Sequence, residues 1–209
     1  MIALAFDGID GAGKTTSIDT VKKYYEEKGK TVVIIRGRPI INTKFDEIEF
    51  PSMNDNVLFF LHLARLQSME QKIFECLRQK VDVVILDRFF DSAFVYSKLL
   101  KLKKSKRKAY TGILYKYYHA SFKPDVTFYC TAPLKDIQTR LNARDEKRKV
   151  HDLKFANKVF IERARCDDNQ HRVLVICNGF EATNKLLYKT LNGLDKPKEA
   201  INDSKCAKD

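Results

Sequence analysis

The stretch Phe6-Asp7-Gly8-Ile9-Asp10-Gly11-Ala12-Gly13-Lys14-Thr15-Thr16 decides how this chain is read. It satisfies G-x-x-x-x-G-K-[ST], follows the apolar run Ile2 to Phe6, and precedes a helical pattern from Lys14 to Lys28 that stops at Gly29. A strand, a glycine-rich turn and a helix start in that order aim successive backbone N–H groups at one point. The glycines permit the curl, and the helix N-terminus adds the positive end of its dipole. Gly8, Ile9, Asp10, Gly11, Ala12, Gly13, Lys14, Thr15 and Thr16 are therefore expected to hold a nucleoside triphosphate. Lys14, placed on a solvated turn, would reach the β- and γ-phosphates, and Thr15 would ligate Mg²⁺.

Outward from this loop, four further apolar runs follow: Thr31 to Ile35, Val81 to Leu86, Asp125 to Cys130 and Val173 to Cys177. Helical spacing of apolar residues fills Asn56 to Gln79, Tyr110 to Ser121 and Leu134 to Arg144. Strands that are apolar on both faces and separated by helices imply a parallel sheet covered on both sides. The expected fold is an α/β, three-layer P-loop NTPase domain, with a five-stranded parallel sheet and helices on both faces. It would occupy residues 1–192, with a lid near 142–153 and a flexible polar tail at 193–209.

The 209 residues suit one domain, and no stretch of 18 apolar residues suggests a membrane span. The N-terminus lacks the basic flank and cleavage site of a secretory leader, so a cytoplasmic protein is expected. Five cysteines in no CxxC pairing indicate neither a disulfide framework nor a zinc site. A net charge of +12 points to an anionic partner, which nucleotides, nucleic acid and acidic lipid satisfy equally. Seven of the cations fall between Lys98 and Lys108, read as a solvated helix end and loop rather than a nucleic-acid patch.

Val83-Val84-Ile85-Leu86-Asp87 is a buried strand ending in a carboxylate. Alone, Asp87 is as readily a helix cap as a metal ligand; beside the glycine-rich loop, the Mg²⁺ role gains weight. Arg88 follows at once, where a cation can hold two anionic phosphates together. A non-catalytic nucleotide-binding module would be expected to lack Lys14, Asp87 or Arg88, and all three are present.

These residues resemble the thymidylate kinase family of nucleoside monophosphate kinases. Phe6 to Thr16 is similar to its F-E-G-x-D-G-x-G-K-T-T loop, and Asp87-Arg88-Phe89-Phe90-Asp91-Ser92 to its D-R-[YH]-x-x-S segment. Lys123 to Tyr129, with Pro133 and Arg140, resembles the P-D-[LV]-T-x-Y strand and the helix leading to the lid. Phe160 to Arg165 resembles the helix after it. The resemblance implies transfer of the ATP γ-phosphoryl group to dTMP, giving dTDP, with Mg²⁺ as cofactor, ATP and a deoxynucleoside monophosphate as partners, and a homodimer. The alternatives are a deoxynucleoside kinase, a kinase of another deoxynucleoside monophosphate, or a P-loop ATPase acting on nucleic acid.

The same resemblance implies roles by position. Asp10 would lie near the acceptor's 3′-hydroxyl or the metal, Arg88 would bridge the two nucleotides' phosphates, and Ser92 would border the base pocket. Tyr96 would close the space of a ribose 2′-hydroxyl, and Arg65 would bond the base. The acceptor phosphate would meet Arg36 or Arg38, because R-E-P-G-[GS]-T is here Arg36-Gly37-Arg38-Pro39-Ile40-Ile41. Leu61 stands where the family has a stacking phenylalanine. Because Gly11-Ala12 supplies no arginine, the lid cations Arg144 and Arg148, with Lys147 and Lys149, are expected to complete the catalytic set with Lys14 and Arg88.

Overall fold

The computed structural model describes residues 1–37, 54–145, 150–166, 171–177 and 179–195. Within them run β1 (Ile2–Gly8), α1 (Lys14–Glu26), β2 (Val32–Arg36), α2 (Asp55–Arg78), β3 (Val83–Asp87), α3 (Phe90–Leu99) and α4 (Lys104–Ala120). These are followed by β4 (Val126–Thr131), α5 (Leu134–Asn142), α6 (Val150–Ala164), β5 (Arg172–Ile176) and α7 (Phe180–Leu194). All strand pairs are parallel, in the order β2-β3-β1-β4-β5. The expected three-layer architecture is observed.

Side-chain alternation explains the layers. Leu4 and Phe6 of β1 and Val83 and Ile85 of β3 join Ile18, Val21 and Tyr25 of α1 and Leu187 and Leu191 of α7 in one core cluster. Their neighbours Ala5, Val84 and Leu86 point the other way, toward Phe59, Leu66 and Ile73 of α2, Phe90 and Ala93 of α3 and Leu114 of α4. A sheet buried on both faces carries few polar side chains. Asp7, 1% exposed near the end of the central strand, is therefore conspicuous.

Four helices exceed the sequence reading: α6 starts at Val150, inside the expected lid and ten residues before Phe160. α3 and α7 carry no expected counterpart, and α4 starts at Lys104, six residues before Tyr110. The α4 N-terminus has no acidic residue in its first turn and four lysines or arginines among its first five residues, against the helix dipole, which hid its start. The residues from Lys98 to Lys108 otherwise match the expected solvated end: Lys101, Lys103, Lys104, Lys106, Arg107 and Lys108 are exposed. α7 extends through Gly193 to Leu194, so the proposed tail boundary at residue 193 falls inside a helix. Arg38, Lys147, Arg148 and Lys149, and residues 196–209 of the tail, lie outside the described residues. No helix among the described residues is long and apolar enough to cross a membrane.

Candidate active site

The connection leaving β1 heads toward β2, whereas the one leaving β3 heads to β4 on the other side, which opens a crevice at the strands' carboxyl ends. The glycine-rich loop fills it. Gly8, Gly11 and Gly13 all have positive φ, and the first and last are also sterically obligatory. A Cβ on Gly8 would lie 2.2 Å from the Cys130 carbonyl oxygen, and one on Gly13 would lie 2.9 Å from Cys177 Cβ. Gly13 caps α1 in a left-handed conformation, with no side-chain cap and no acid in the first turn. The helix's leading N–H groups are thus left for an anion.

Lys14 is not on a solvated turn. It is 8% exposed, and its Nζ donates to the carbonyls of Gly8 (3.1 Å) and Ile9 (2.7 Å). Burial, with Arg88 adding to it, pulls its pKa down to about 8. The error in the sequence reading comes from treating the lysine as a surface group. The loop wraps over the side chain and satisfies two of its three donors.

Arg88 is the hub of the site. Its backbone takes φ 65°, and its N–H donates to the Phe6 carbonyl, which turns the side chain back over the loop. Nη1 donates to the Gly8 carbonyl (2.9 Å), the Tyr96 hydroxyl (3.1 Å) and Ser92 Oγ (3.4 Å), while Nη2 pairs with the Asp10 carboxylate. Burial opposes the guanidinium charge, but Tyr96, Asp10, Asp7 and Asp87 together raise its pKa. Of the expected residues, Asp10, Lys14, Arg88, Ser92 and Tyr96 are thereby gathered around one point.

Thr15, in the first turn of α1, is exposed, and Asp87 is half-buried where β3 registers against Phe6 of β1. A hydroxyl and a carboxylate at the mouth of a phosphate loop are the hard oxygen donors Mg²⁺ accepts, so the residues fit that ion. Arg36 is exposed and in register with Asp87, at the same sheet edge. Arg65 is half-buried on α2, one helical turn from His62, whose pKa burial and then Arg65 push down to about 4. Arg144 lies in the turn after α5, exposed, with no described contact to the loop.

Ser92, expected to border a base pocket, has its hydroxyl engaged within the protein. It is buried, and its hydroxyl donates to Asp7, which also receives the backbone N–H groups of Ser92 (3.0 Å) and Phe89 (3.3 Å). Burial, then the nearby Asp91, raise the Asp7 carboxyl to about 6. Sequence reasoning missed three other features. Arg140 braces the loop, donating to the carbonyls of Gly11 and Cys177, each at 3.0 Å. Asp91 takes Arg163 Nε (2.6 Å), Arg172 Nη1 (3.2 Å) and the Tyr129 hydroxyl, tying α3 to α6, β5 and β4. The Cys130 and Cys177 sulfurs each lie 3.9 Å from Ser17 Oγ, and both residues pack against loop glycines. Asp91 lay within a quoted motif, but its three partners come from segments up to 81 residues away.

A phosphate loop on the central strand, an acid ending the neighbouring strand and an arginine joining that loop to the following helix define a P-loop nucleotide kinase. Comparison with known proteins narrows the class. The thymidylate kinase family profile matches residues 6–185, and the chain belongs to that family. It is 33% identical over 150 residues to a thymidylate kinase of Chlorobaculum parvum, covering 66% of this chain and 64% of that relative. It is 30% identical over 150 residues to one from Acinetobacter baumannii, covering 68% and 72%. A Neisseria meningitidis thymidylate kinase aligns over 201 residues at 26% identity, covering 91% of this chain and 96% of the relative.

Proposed function

We propose that this protein transfers the γ-phosphoryl group of ATP to dTMP, forming dTDP. One observation carries the reading: Nη1 of Arg88 touches both the Gly8 carbonyl of the donor loop and the Tyr96 hydroxyl of α3. A cation in that position spans the boundary between a triphosphate in the loop and an acceptor lying against α3. Family membership and the names of the relatives support dTMP as that acceptor.

Phosphoryl transfer asks little covalent help of a protein; it asks for alignment, charge neutralisation and exclusion of water. The α1 N-terminus and Lys14 would bind the donor phosphates, and Arg88 would hold donor and acceptor together. Asp10, paired with Arg88 at rest, would lie near the acceptor's 3′-hydroxyl or the metal once Arg88 takes the phosphates. Arg36 or Arg38 would bind the acceptor phosphate, Arg65 and Ser92 would face the base side, and Tyr96 would fill the 2′ position. Thr15 and Asp87 would hold Mg²⁺, which supplies charge neutralisation between the phosphates. Arg144 and Arg148 would close over the donor as a lid, expelling water.

Assaying ADP release with ATP, Mg²⁺ and a panel of nucleosides and monophosphates, ribo- and deoxy-, tests the proposal. dTMP should give the highest kcat/KM, with TMP's ribose analogue disfavoured. Preference for a nucleoside over its monophosphate would overturn it. Replacing Arg144 and Arg148 together by alanine should lower kcat and kcat/KM alike. A double variant with full turnover would remove the lid from the mechanism.

A further inference from the structure

Two cysteines from different strands converge under the phosphate loop, and the proposed reaction uses neither. Cys130 is the penultimate residue of β4 and is fully buried; Cys177 follows β5 and is 8% exposed. Ser17 Oγ of α1 lies 3.9 Å from both sulfurs, accepting from the Cys130 thiol, so one hydroxyl joins the two side chains. Both residues also touch loop glycines. The space a Cβ would take on Gly8 is filled by the Cys130 carbonyl, and on Gly13 by the Cys177 side chain. The Cys177 carbonyl receives Arg140, the same guanidinium that holds Gly11.

We propose that Cys177 is a peroxide-reactive modification site, that Cys130 resolves it to a disulfide, and that the oxidised pair no longer accepts ATP. The loss of ATP binding rests on the phosphate-loop reading above; the chemistry of the thiols does not. The Cys177 sulfur, with Arg140 and Lys14 nearby to favour a thiolate, attacks one peroxide oxygen. An S–O bond forms, the O–O bond breaks, and the departing hydroxide takes a proton to become water. Cys130 then gives up its proton and its sulfur attacks Cys177: the S–S bond forms, the S–O bond breaks, and a second water leaves. The two thiols lose two electrons in all, and the peroxide gains them.

Geometry links this step to the loop. Cys130 registers with Val175, so Cys177, two positions on and just past the end of β5, is its diagonal neighbour. Diagonal positions in a sheet lie roughly 7–8 Å apart, whereas bridged cysteines need about 4.4–6.8 Å between Cα atoms. Closing the bond therefore draws the segment after Ile176 toward β4. That motion takes the Cys177 side chain off Gly13 and its carbonyl off Arg140.

The experiment treats the full chain with hydrogen peroxide and maps its peptides without reduction, then measures ATP binding directly by calorimetry. A peptide linking Cys130 to Cys177 is expected, with ATP affinity weakened at least ~10-fold and restored by dithiothreitol. Cys177→Ser should yield no linked peptide and keep its ATP affinity under peroxide. Cys130→Ser should instead stop at a sulfenic acid trapped by dimedone. In the reduced parent, saturating ATP should slow alkylation of Cys177 at least ~10-fold, while exposed Cys166 serves as the ATP-independent reference. Absence of the linked peptide overturns the inference, and so does equal peroxide sensitivity of Cys177→Ser. Should a variant fail to fold, the parent's peptide map and ATP protection still decide. ATP that binds without shielding Cys177 sinks the inference alone; ATP that does not bind at all sinks the phosphate-loop reading.

Discussion

The buried state of Lys14 predicts that ATP affinity falls as pH rises above 8. In the free protein its pKa is held down to about 8, chiefly by burial. The phosphates require the charged form, so at pH 7 roughly 90% of molecules are ready to bind, and at pH 9 roughly 10%. ATP Kd and KM should therefore rise about 10-fold between those pH values, with close to one proton taken up per ATP bound at pH 9. Phosphate second ionisations lie near ~6 and do not interfere in this range. Calorimetry in buffers of different protonation enthalpy measures both the affinity and the proton count. Repeating it with Cys177→Ser removes the other titrating group beside the loop. Stability of the ligand-free fold should move in the opposite sense. A lysine whose folded pKa is depressed opposes folding while charged, so stability should increase by up to about 3 kcal/mol as pH rises from 8 toward 10.5. A flat ATP affinity up to pH 9.5 without proton uptake would refute the reasoning.

Gly8→Ala should destabilise the fold by at least ~2 kcal/mol, because its Cβ would sit 2.2 Å from a backbone oxygen that cannot rotate away; an unchanged melting temperature would contradict this. Asp91→Ala removes a buried carboxylate from Arg172, whose side chain is 2% exposed, and from the half-buried Arg163, and should cost ~3–5 kcal/mol in denaturant unfolding, whereas a loss under 1 kcal/mol would mean the cluster is not cooperative. Replacing Lys103, Lys104, Lys106 and Arg107 by glutamine should leave nucleotide kinetics within ~2-fold and slightly stabilise α4, whose N-terminus they crowd. Tight, steeply salt-dependent DNA or RNA binding by the parent that the variant loses would reverse that reading.

The sheet was legible because its strands are short runs apolar on both faces, separated by longer stretches of helical spacing. All five strands fall within two residues of their expected limits. The phosphate loop was legible because glycine at positive φ leaves a signature in composition as well as geometry. Partnerships between distant segments were not. Lys14 could be identified as a phosphate-reaching residue, but its burial depends on two carbonyls that face inward only once the loop is closed. Ser92 could be placed in a motif, yet its hydroxyl is engaged by Asp7, 85 residues earlier, across the β1 to β3 boundary. The Asp7 signal was available nonetheless: a carboxylate inside an otherwise apolar central strand needs donors, and the chain turning after β3 is the segment close enough to give them.

The resting arrangement of charge also bears on how the site would select its substrates. Lys14 is held by the carbonyls of Gly8 and Ile9, and Arg88 by the Gly8 carbonyl, Tyr96 and Asp10. Neither cation waits exposed for an anion, and each must exchange protein partners for phosphate. For Lys14 the exchange is favourable, because two neutral carbonyls are replaced by a polyanion at a site where burial weakens screening. Arg88 already has a carboxylate, so a single phosphate there would gain little over Asp10. Donor and acceptor phosphates arriving together present more negative charge than Asp10 does, and they present it on both sides of the guanidinium. Arg88 would then leave Asp10 only in the ternary arrangement, freeing that carboxylate to turn toward the acceptor. A cation that is compensated at rest and released by two substrates favours transfer between nucleotides over hydrolysis of ATP alone.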